Sequence, residues 1–437
     1  MLKKGNRRII FHLFLLLMMI GTSWAATETQ LLNQSVSAES ALPEVTTYVR
    51  LALKQNPAVK SAFHAWQEAL KKTAATRGLP DPQVNFGYFM ENIETAVGPQ
   101  EWKIGFMQMI PWPGKLKVAG DIQSLKAEAA RMKLQDTLWD VLYQVQTLYL
   151  DVYFLERRIA ITQENLELVK QWEQVILTKF KAASASHPDL IKTQIEVLKL
   201  QDDLETLIEQ RPALLAQFRA ALNTDTIKTV RVPKSLAASD RNLNKEDIRN
   251  VVITNNPKLS ALQTMQAAAE KMVTRAKLNW LPDFSVGVDY ISTGNKWKDN
   301  QLVPESGKDP LVVMGSVSLP LWGYKQAAQV RASQEKSLAQ EASVQNMENT
   351  LEAAFEKAWF TYENAERKWK LYQDQLLPKS LESLRATEKA YIGDQIELLS
   401  LVDAQRRYLD FTLASEKAKV DYYQSIAQLE KLAGRSL

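Results

Sequence analysis

No cysteine occurs among the 437 residues. That absence removes disulfides, thiol nucleophiles and thiolate metal sites. Histidine is almost as scarce, with only His12, His64 and His187. No His/Asp/Ser constellation can be assembled from so few, and no glycine-rich phosphate loop is present, so neither an enzyme nor a cofactor is expected. Net charge is small, 54 basic against 50 acidic residues giving +4. No basic cluster is interleaved with base-stacking aromatics, so nucleic acid is not an expected partner. Beyond the N-terminus no apolar run is long enough for a transmembrane helix. Proline is missing from the whole stretch between Lys115 and His187.

The N-terminus reads as a leader. "KKGNRR" supplies positive charge, Ile9 to Ile20 an apolar core, and "TSWA" a small-residue cleavage site ending at Ala25. Residues 1–25 are therefore expected to be a cleaved signal peptide and 26–42 an N-terminal extension. No cysteine follows, so an N-terminal lipid-modified cysteine is excluded.

What is present is a duplication. "QNP" at 55–57 returns as "NNP" at 255–257, and "LPD" at 79–81 returns at 281–283. "IPWPGK" at 110–115 corresponds to "LPLWGYK" at 319–325, and Phe180, Gln194 and Asn223 to Tyr391, Gln405 and Gly434. The order is kept while the offset creeps from 200 to 211. Its largest jump falls between "LPD" and the proline-glycine motif, where a surface loop is expected. Two structural repeats follow, 43–223 and 244–434, joined by a linker at 224–243, with 435–437 as the C-terminal end. Each repeat starts with an amphipathic helix, 44–78 and 244–280, the second capped by Asn244.

The proline-free stretch is the strongest signal. Leu134, Leu138, Val141, Val145, Leu148, Val152, Leu155 and Ile159 step by alternating fours and threes, a heptad seam. It continues less cleanly through Leu166, Val169, Ile176 and Phe180. Such a helix would run ~100 Å at 1.5 Å per residue. Its partner begins at Lys325, with Pro378 expected to kink it. The breaks "ASASHPD" at 183–189 and "YIGDQ" at 391–395 read as turns, after which helices return. Two helical hairpins result, 115–222 (which Pro212 is expected to bend) and 325–432. The chain is mainly α with a small β part.

That β part has a distinctive pattern. Strands are expected at about 83–91, 101–110, 283–291 and 311–319. Val84, Phe86, Tyr88 and Met90 share a face, as do Trp102, Ile104 and Phe106. So do Phe284, Val286, Val288 and Tyr290, while Ser285, Gly287 and Asp289 fall on the other side. Val313, Gly315, Val317 and Leu319 alternate with Met314, Ser316 and Ser318. Apolar-out, polar-in alternation with Tyr88, Phe89, Trp102, Trp280 and Trp322 near the strand ends fits a membrane barrel. Solvent-facing hairpins are the plainer alternative. Open sheet edges are forbidden in a bilayer, and four strands fall short of the eight in the smallest barrels. If these strands enter a membrane, several copies must share one barrel. Polar loops from Glu91 to Glu101 and from Ser292 to Pro310 would join the pairs.

The chain resembles the TolC-type outer-membrane efflux proteins, from about Leu42 to Gly434. The likeness rests on "LALKQNPAVKSA", on "PWPGK" and "LPLWGYK" where strand gives way to long helix, and on "AYIGDQIELLSLVDAQRRYLDF" at 390–411. It implies a homotrimer in the outer membrane, with a shared twelve-stranded barrel and a twelve-helix periplasmic tunnel. It also implies a passive duct that docks by its periplasmic tips onto an adaptor protein linked to an inner-membrane pump. Docking tips would then include Ser184, Ser186, His187, Ile392, Gly393 and Asp394. The family's pore-facing aspartate carries over to Asp403, with Arg406 beside it. The acidic residue that many relatives carry three positions earlier is Ser400 here. The first-repeat equivalents of Ser400 and Asp403 are Asp189 and Lys192, whose mixed signs suggest salt bridges in place of a clean acidic ring. Pro111, Pro113, Gly114, Pro320 and Gly323 mark the strand-to-helix turns.

Blander alternatives stand beside these assignments. Asp403 and Arg406 also read as a solvated helix face. His187 reads as a turn residue before a metal ligand. Met90, Met107 and Met109 read as packing before a soft-metal track, although "PWPGK" resembles the family's heavy-metal branch. Asp202 and Asp203 read as solvated. A periplasmic coiled-coil adaptor or scaffold is the rival to a duct.

Overall fold

A computed structural model describes residues 43–236, 243–393 and 395–437. The leader, the N-terminal extension and Asp394 lie outside the described residues. The chain forms two compact units. Of the described residues, one contains 43–62, 134–236, 243–257, 348–393 and 395–437; the other contains Phe63–Lys133 and Lys258–Met347.

A 3-10 turn, Pro43–Val45, leads into α1 (Thr46–Gln55) and α2 (Pro57–Thr76). The helix expected over 44–78 is thus two helices, and so is its counterpart over 244–280, which divides into α5 (Lys245–Asn255) and α6 (Pro257–Leu278). Both breaks have one cause. Asn56 and Asn256 precede proline, whose ring disfavours the helical region for the residue before it. Their ψ values are 127° and 118°. Each asparagine then takes up a structural task. Asn56 Nδ2 donates to Ala221 O and Asn256 Nδ2 to Leu432 O, both at 2.9 Å.

In the first unit those acceptors end the return helices of the two hairpins. The first hairpin is α3 (Lys115–Lys181) and α4 (His187–Leu222). The second runs through α7 (Gly323–Leu371), a π turn (Tyr372–Leu376), α8 (Leu377–Ile392) and α9 (Leu398–Ala433). Asn223 and Gly434 terminate α4 and α9 in the left-handed region, at φ 52° and 61°. Pro212 lies inside α4 without breaking it. Of the heptad seam, all but Leu148 is buried up to Ile159, and Leu166, Val169 and Ile176 continue it, while Phe180 is exposed. Tyr149, Tyr153, Tyr422, Phe218 and Phe355 are the bulkiest fully buried side chains.

The π turn answers an arithmetic mismatch. Trp112 and Lys115 map onto Trp322 and Lys325 with an offset of 210, yet Phe180 maps onto Tyr391 with 211. One residue is extra in the second hairpin. A π turn holds one residue more than the α-helix it interrupts, and α3 has no such turn. Pro378, just inside α8, lacks the N–H that the carbonyl four residues back would need.

The second unit carries the sheet. β1 (Gln83–Glu94), β2 (Pro99–Ile110), β3 (Asp283–Thr293) and β6 (Leu311–Ser318) form an antiparallel sheet in the order β1-β2-β3-β6. β4 (Trp297–Lys298) and β5 (Gln301–Leu302) make a small ribbon in the second loop. Three of the four strands reach further into the loops than the alternation suggested, while β6 begins where expected. β1 runs to Glu94 through an irregularity between Tyr88 and Ile93, and the first turn closes where Thr95 N donates to Gly98 O at 3.1 Å.

Candidate functional site

The four strands share one apolar face. Val84 lies opposite Phe106, Phe86 opposite Ile104 and Tyr88 opposite Trp102. Phe106 lies opposite Val288 and Ile104 opposite Tyr290. Val288 lies opposite Val313, and Tyr290 opposite Leu311. Directly paired residues point to the same side of a sheet. Most of this face is open: Val84, Phe86 and Tyr88 are about two-thirds exposed, and Ile104, Phe106, Val286, Val288 and Val313 are exposed as well. A contiguous apolar patch of this kind marks an interaction surface. β1 and β6 each keep one edge unpaired in this sheet.

The opposite face is polar and tighter. Asp289 is buried, and its carboxylate lies 3.9 Å from Lys103 Nζ. Gly105, directly across, makes room for it: a Cβ there would sit 2.1 Å from Asp289 Oδ1. Met107 and Met109 fall on this polar side of β2, whereas Met90 lies in the irregular stretch of β1, so the three do not line up. Among the described residues no group of three or more His, Cys, Asp or Glu side chains is placed to hold a metal.

The strand-to-helix turn after β2 is anchored by a residue from the other repeat. Asp283 Oδ1 accepts from Trp112 N at 2.8 Å and from Lys115 Nζ at 2.9 Å; Lys115 Nζ also donates to Leu281 O at 2.9 Å. Gly114 takes φ 96°, a conformation that favours glycine. Pro111 is half-buried and Pro113 exposed; Pro320 and Gly323 hold the equivalent turn after β6.

The hairpin ends belong to the other unit. α3 closes through Ala183 in the left-handed region, φ 55°, with Ser184 N donating to Lys179 O at 2.8 Å. Ser186 caps α4: its Oγ accepts from Asp189 N at 3.3 Å and donates to Asp189 Oδ2 at 2.6 Å. Asp189 thus serves the cap. His187 is exposed, its ring 5.6 Å from that of Phe180. Lys179 Nζ sits 4.9 Å from the centre of the Tyr391 ring, drawing the two turns together. Beneath them Leu166, Val169, Trp172, Ile176, Leu190, Val197, Leu200, Leu384, Leu398 and Leu401 share one core. Ser184, Ser186, Ile392 and Gly393 are exposed.

On the outer side of this core, Ser400, Asp403 and Arg406 are all exposed on α9, as is Lys192 on α4. The anticipated Asp189 and Lys192 do not meet them. Arg406 reaches a residue the sequence reading did not single out, Glu196. Its Nε donates to Glu196 Oε1 at 3.1 Å, and its second nitrogen to Oε2. That bidentate bond, with Asp403 and Asp410 also nearby, holds the Arg406 pKa above its ordinary value. The preceding residue turns inward: Gln405 Nε2 donates to Asn165 Oδ1 at 2.9 Å, both residues buried. Glu196 sits one residue from Val197 on the buried side of α4, and a charge in such a place was the available clue.

Residues 249–435 match the family model described as Outer membrane efflux protein. Toxin and drug export protein A of Aggregatibacter actinomycetemcomitans is 21% identical over 184 residues, 42% of this chain and 40% of that protein's own length. Among solved structures, a membrane protein from Pseudomonas aeruginosa superposes with TM-score 0.76 at 15% identity, covering 92% of each chain. The outer membrane protein VceC of Vibrio cholerae gives 0.73 at 12% identity, covering 90% of this chain and 96% of its own. Most of the second repeat thus matches the outer membrane efflux protein model, and the chain as a whole shares the fold of these solved structures.

Proposed function

We propose that the mature chain is an outer-membrane channel, the passive exit duct of a tripartite efflux system. The observation that carries this reading is the exposed apolar face running across all four strands of a sheet with two unpaired edges. Lipid is the solvent such a face needs, and a bilayer forbids the open edges. Three copies supply twelve strands to one barrel, and their two repeats each, 43–223 and 244–434 around a linker at 224–243, supply the helices of a periplasmic tunnel. The polar sheet face then lines the lumen. Residues 1–25 direct export and are removed.

The exposed Ser184, Ser186, His187, Ile392 and Gly393, together with Asp394, are the docking tips for a periplasmic adaptor coupled to an inner-membrane pump. The α9 face of Ser400, Asp403 and Arg406, with Asp189 and Lys192 on α4, forms the periplasmic gate. Arg406 to Glu196 is its latch. Threefold repetition of Asp403 around a constriction favours cations and repels anions. Energy comes from the pump, and no chemistry is performed on the cargo.

The test is envelope fractionation followed by the native mass of the detergent-extracted protein. A trimer in the outer-membrane fraction supports the duct. A soluble periplasmic monomer rejects it and favours a scaffold.

A further inference from the structure

The two β-hairpins obey a single register. Val84 faces Phe106 as Val286 faces Gly315, Phe86 faces Ile104 as Val288 faces Val313, and Tyr88 faces Trp102 as Tyr290 faces Leu311. Each residue of the first pair maps onto the second by the tandem offset, 202 on the leading strand (Val84 to Val286) and 209 on the following one (Phe106 to Gly315). The turns match as well. Lys115 N donates to Trp112 O at 3.0 Å, and Lys325 N to Trp322 O at 2.9 Å. Trp322 and Lys325 therefore occupy the places of Trp112 and Lys115.

This equivalence leaves one anchor half built. The first turn is held by Asp283, the aspartate of the second "LPD", because β2 and β3 are neighbours in the sheet. The aspartate of the first "LPD" is Asp81, at the foot of β1, an open edge. The matching turn follows β6, the other open edge. Asp81 and Lys325 are both exposed. Neither side chain is hydrogen-bonded or ion-paired to a described residue, and the Trp322 backbone N–H has no acceptor among them.

We propose that Asp81 of one copy receives the Trp322 N–H and the Lys325 ammonium of the next, completing at the β6–β1 junction the anchor that Asp283 makes within the chain. The inference rests on the shared-barrel reading and deepens it by naming the ionic contact between copies. It also sets the junction's register. Carrying the β2–β3 pairing across, Val317 of one copy lies opposite Val84 of the next, Gly315 opposite Phe86, and Val313 opposite Tyr88. Every apolar residue then stays on the lipid side, and Gly315 gives Phe86 room. The recognising chemistry is a carboxylate that accepts one charged and one backbone donor, the same set seen at Asp283.

The natural absence of cysteine makes the contact easy to test in the full-length protein. The Asp81→Cys, Lys325→Cys double variant is treated in outer membranes with a short bis-maleimide and run under denaturing conditions. Covalent dimers and trimers are expected. The same treatment of Lys115→Cys with Asp283→Cys should leave only monomers, since that pair lies within one chain. A parent that is trimeric by native mass, with no bridge between 81 and 325, overturns the anchor and leaves the shared barrel standing; a monomeric parent overturns both. Charge reversal decides independently. Asp81→Lys or Lys325→Asp alone should lower the temperature at which the trimer dissociates, and the two together should restore most of the loss. A double variant no better than the single ones overturns the proposal.

Discussion

Arg406 grips both carboxylate oxygens of Glu196, whose side chain is only 5% exposed while that of Arg406 is 47% exposed. The acid is thus fixed in the α4 packing, and the base is the member able to leave. Removing Arg406 strands a carboxylate at the edge of a core. Arg406→Ala should cost about 1–2 kcal/mol locally, less than a wholly buried pair because the guanidinium is half in water. As a latch, it should also raise single-channel conductance in planar bilayers several-fold, with Glu196→Ala doing the same. Asp403→Ala should change conductance much less, since Asp403 acts on Arg406 only through space. Unchanged conductance in Arg406→Ala would return the pair to an ordinary structural bridge.

Val288 is central to the apolar face, with Phe106 on one side and Val313 on the other. Val288→Lys should cost about 2–4 kcal/mol if it meets the middle of a bilayer. The amount of heat-stable trimer in outer membranes measures this. Ser285→Lys, on the lumen side, is the control expected to assemble. Equal assembly of both would argue that the face does not meet lipid.

Asn56 and Asn256 make the same bond in the two repeats, each to a carbonyl in the last turn of a return helix. Replacing either by alanine leaves a carbonyl unpaired, at about 1–3 kcal/mol. Both substitutions should lower the melting temperature by similar amounts. The double variant should be additive, because the sites share no partner. A silent Asn56→Ala would show that water substitutes for the amide.

Among the described residues, Asp289 is the one buried carboxylate on the polar side of the sheet, and Lys103 is its neighbour. If that side lines the lumen, Asp289→Asn should lower the preference for cations over anions in reversal-potential measurements. Gly105→Val keeps the charge but forces the carboxylate from its pocket, and should shift that preference as well. A selectivity indifferent to both would remove Asp289 from the conduction path.

The parts legible in the sequence were those written as periodicity. Steps of three and four from Leu134 to Ile159 foretold a buried seam, and alternation from Phe284 to Tyr290 foretold a sheet with one apolar side. Helix breaks at Asn56 and Asn256 were also legible in principle. The Asn-Pro pairs were read as marks of duplication, when the proline constrains its predecessor as well. The Glu196–Arg406 bond was not legible, because it joins helices 210 positions apart in sequence and no local pattern ties one to the other. The anchor of Lys115 on Asp283 was hidden for the same reason. Each member sits in a motif, but strand order decides which motifs meet.

The π turn at Tyr372–Leu376 makes the two hairpins mechanically unlike. One spans its length on an unbroken helix of 67 residues; the other carries a spare residue and a missing N–H within it. Amide exchange should therefore be faster around 372–378 than at 161–167 in α3, and equal rates would deny the difference. In a ring built from these hairpins, stiff and compliant staves alternate. An iris made that way would not dilate evenly: it would yield at every second stave, and the threefold symmetry proposed above would repeat the compliance three times around the rim.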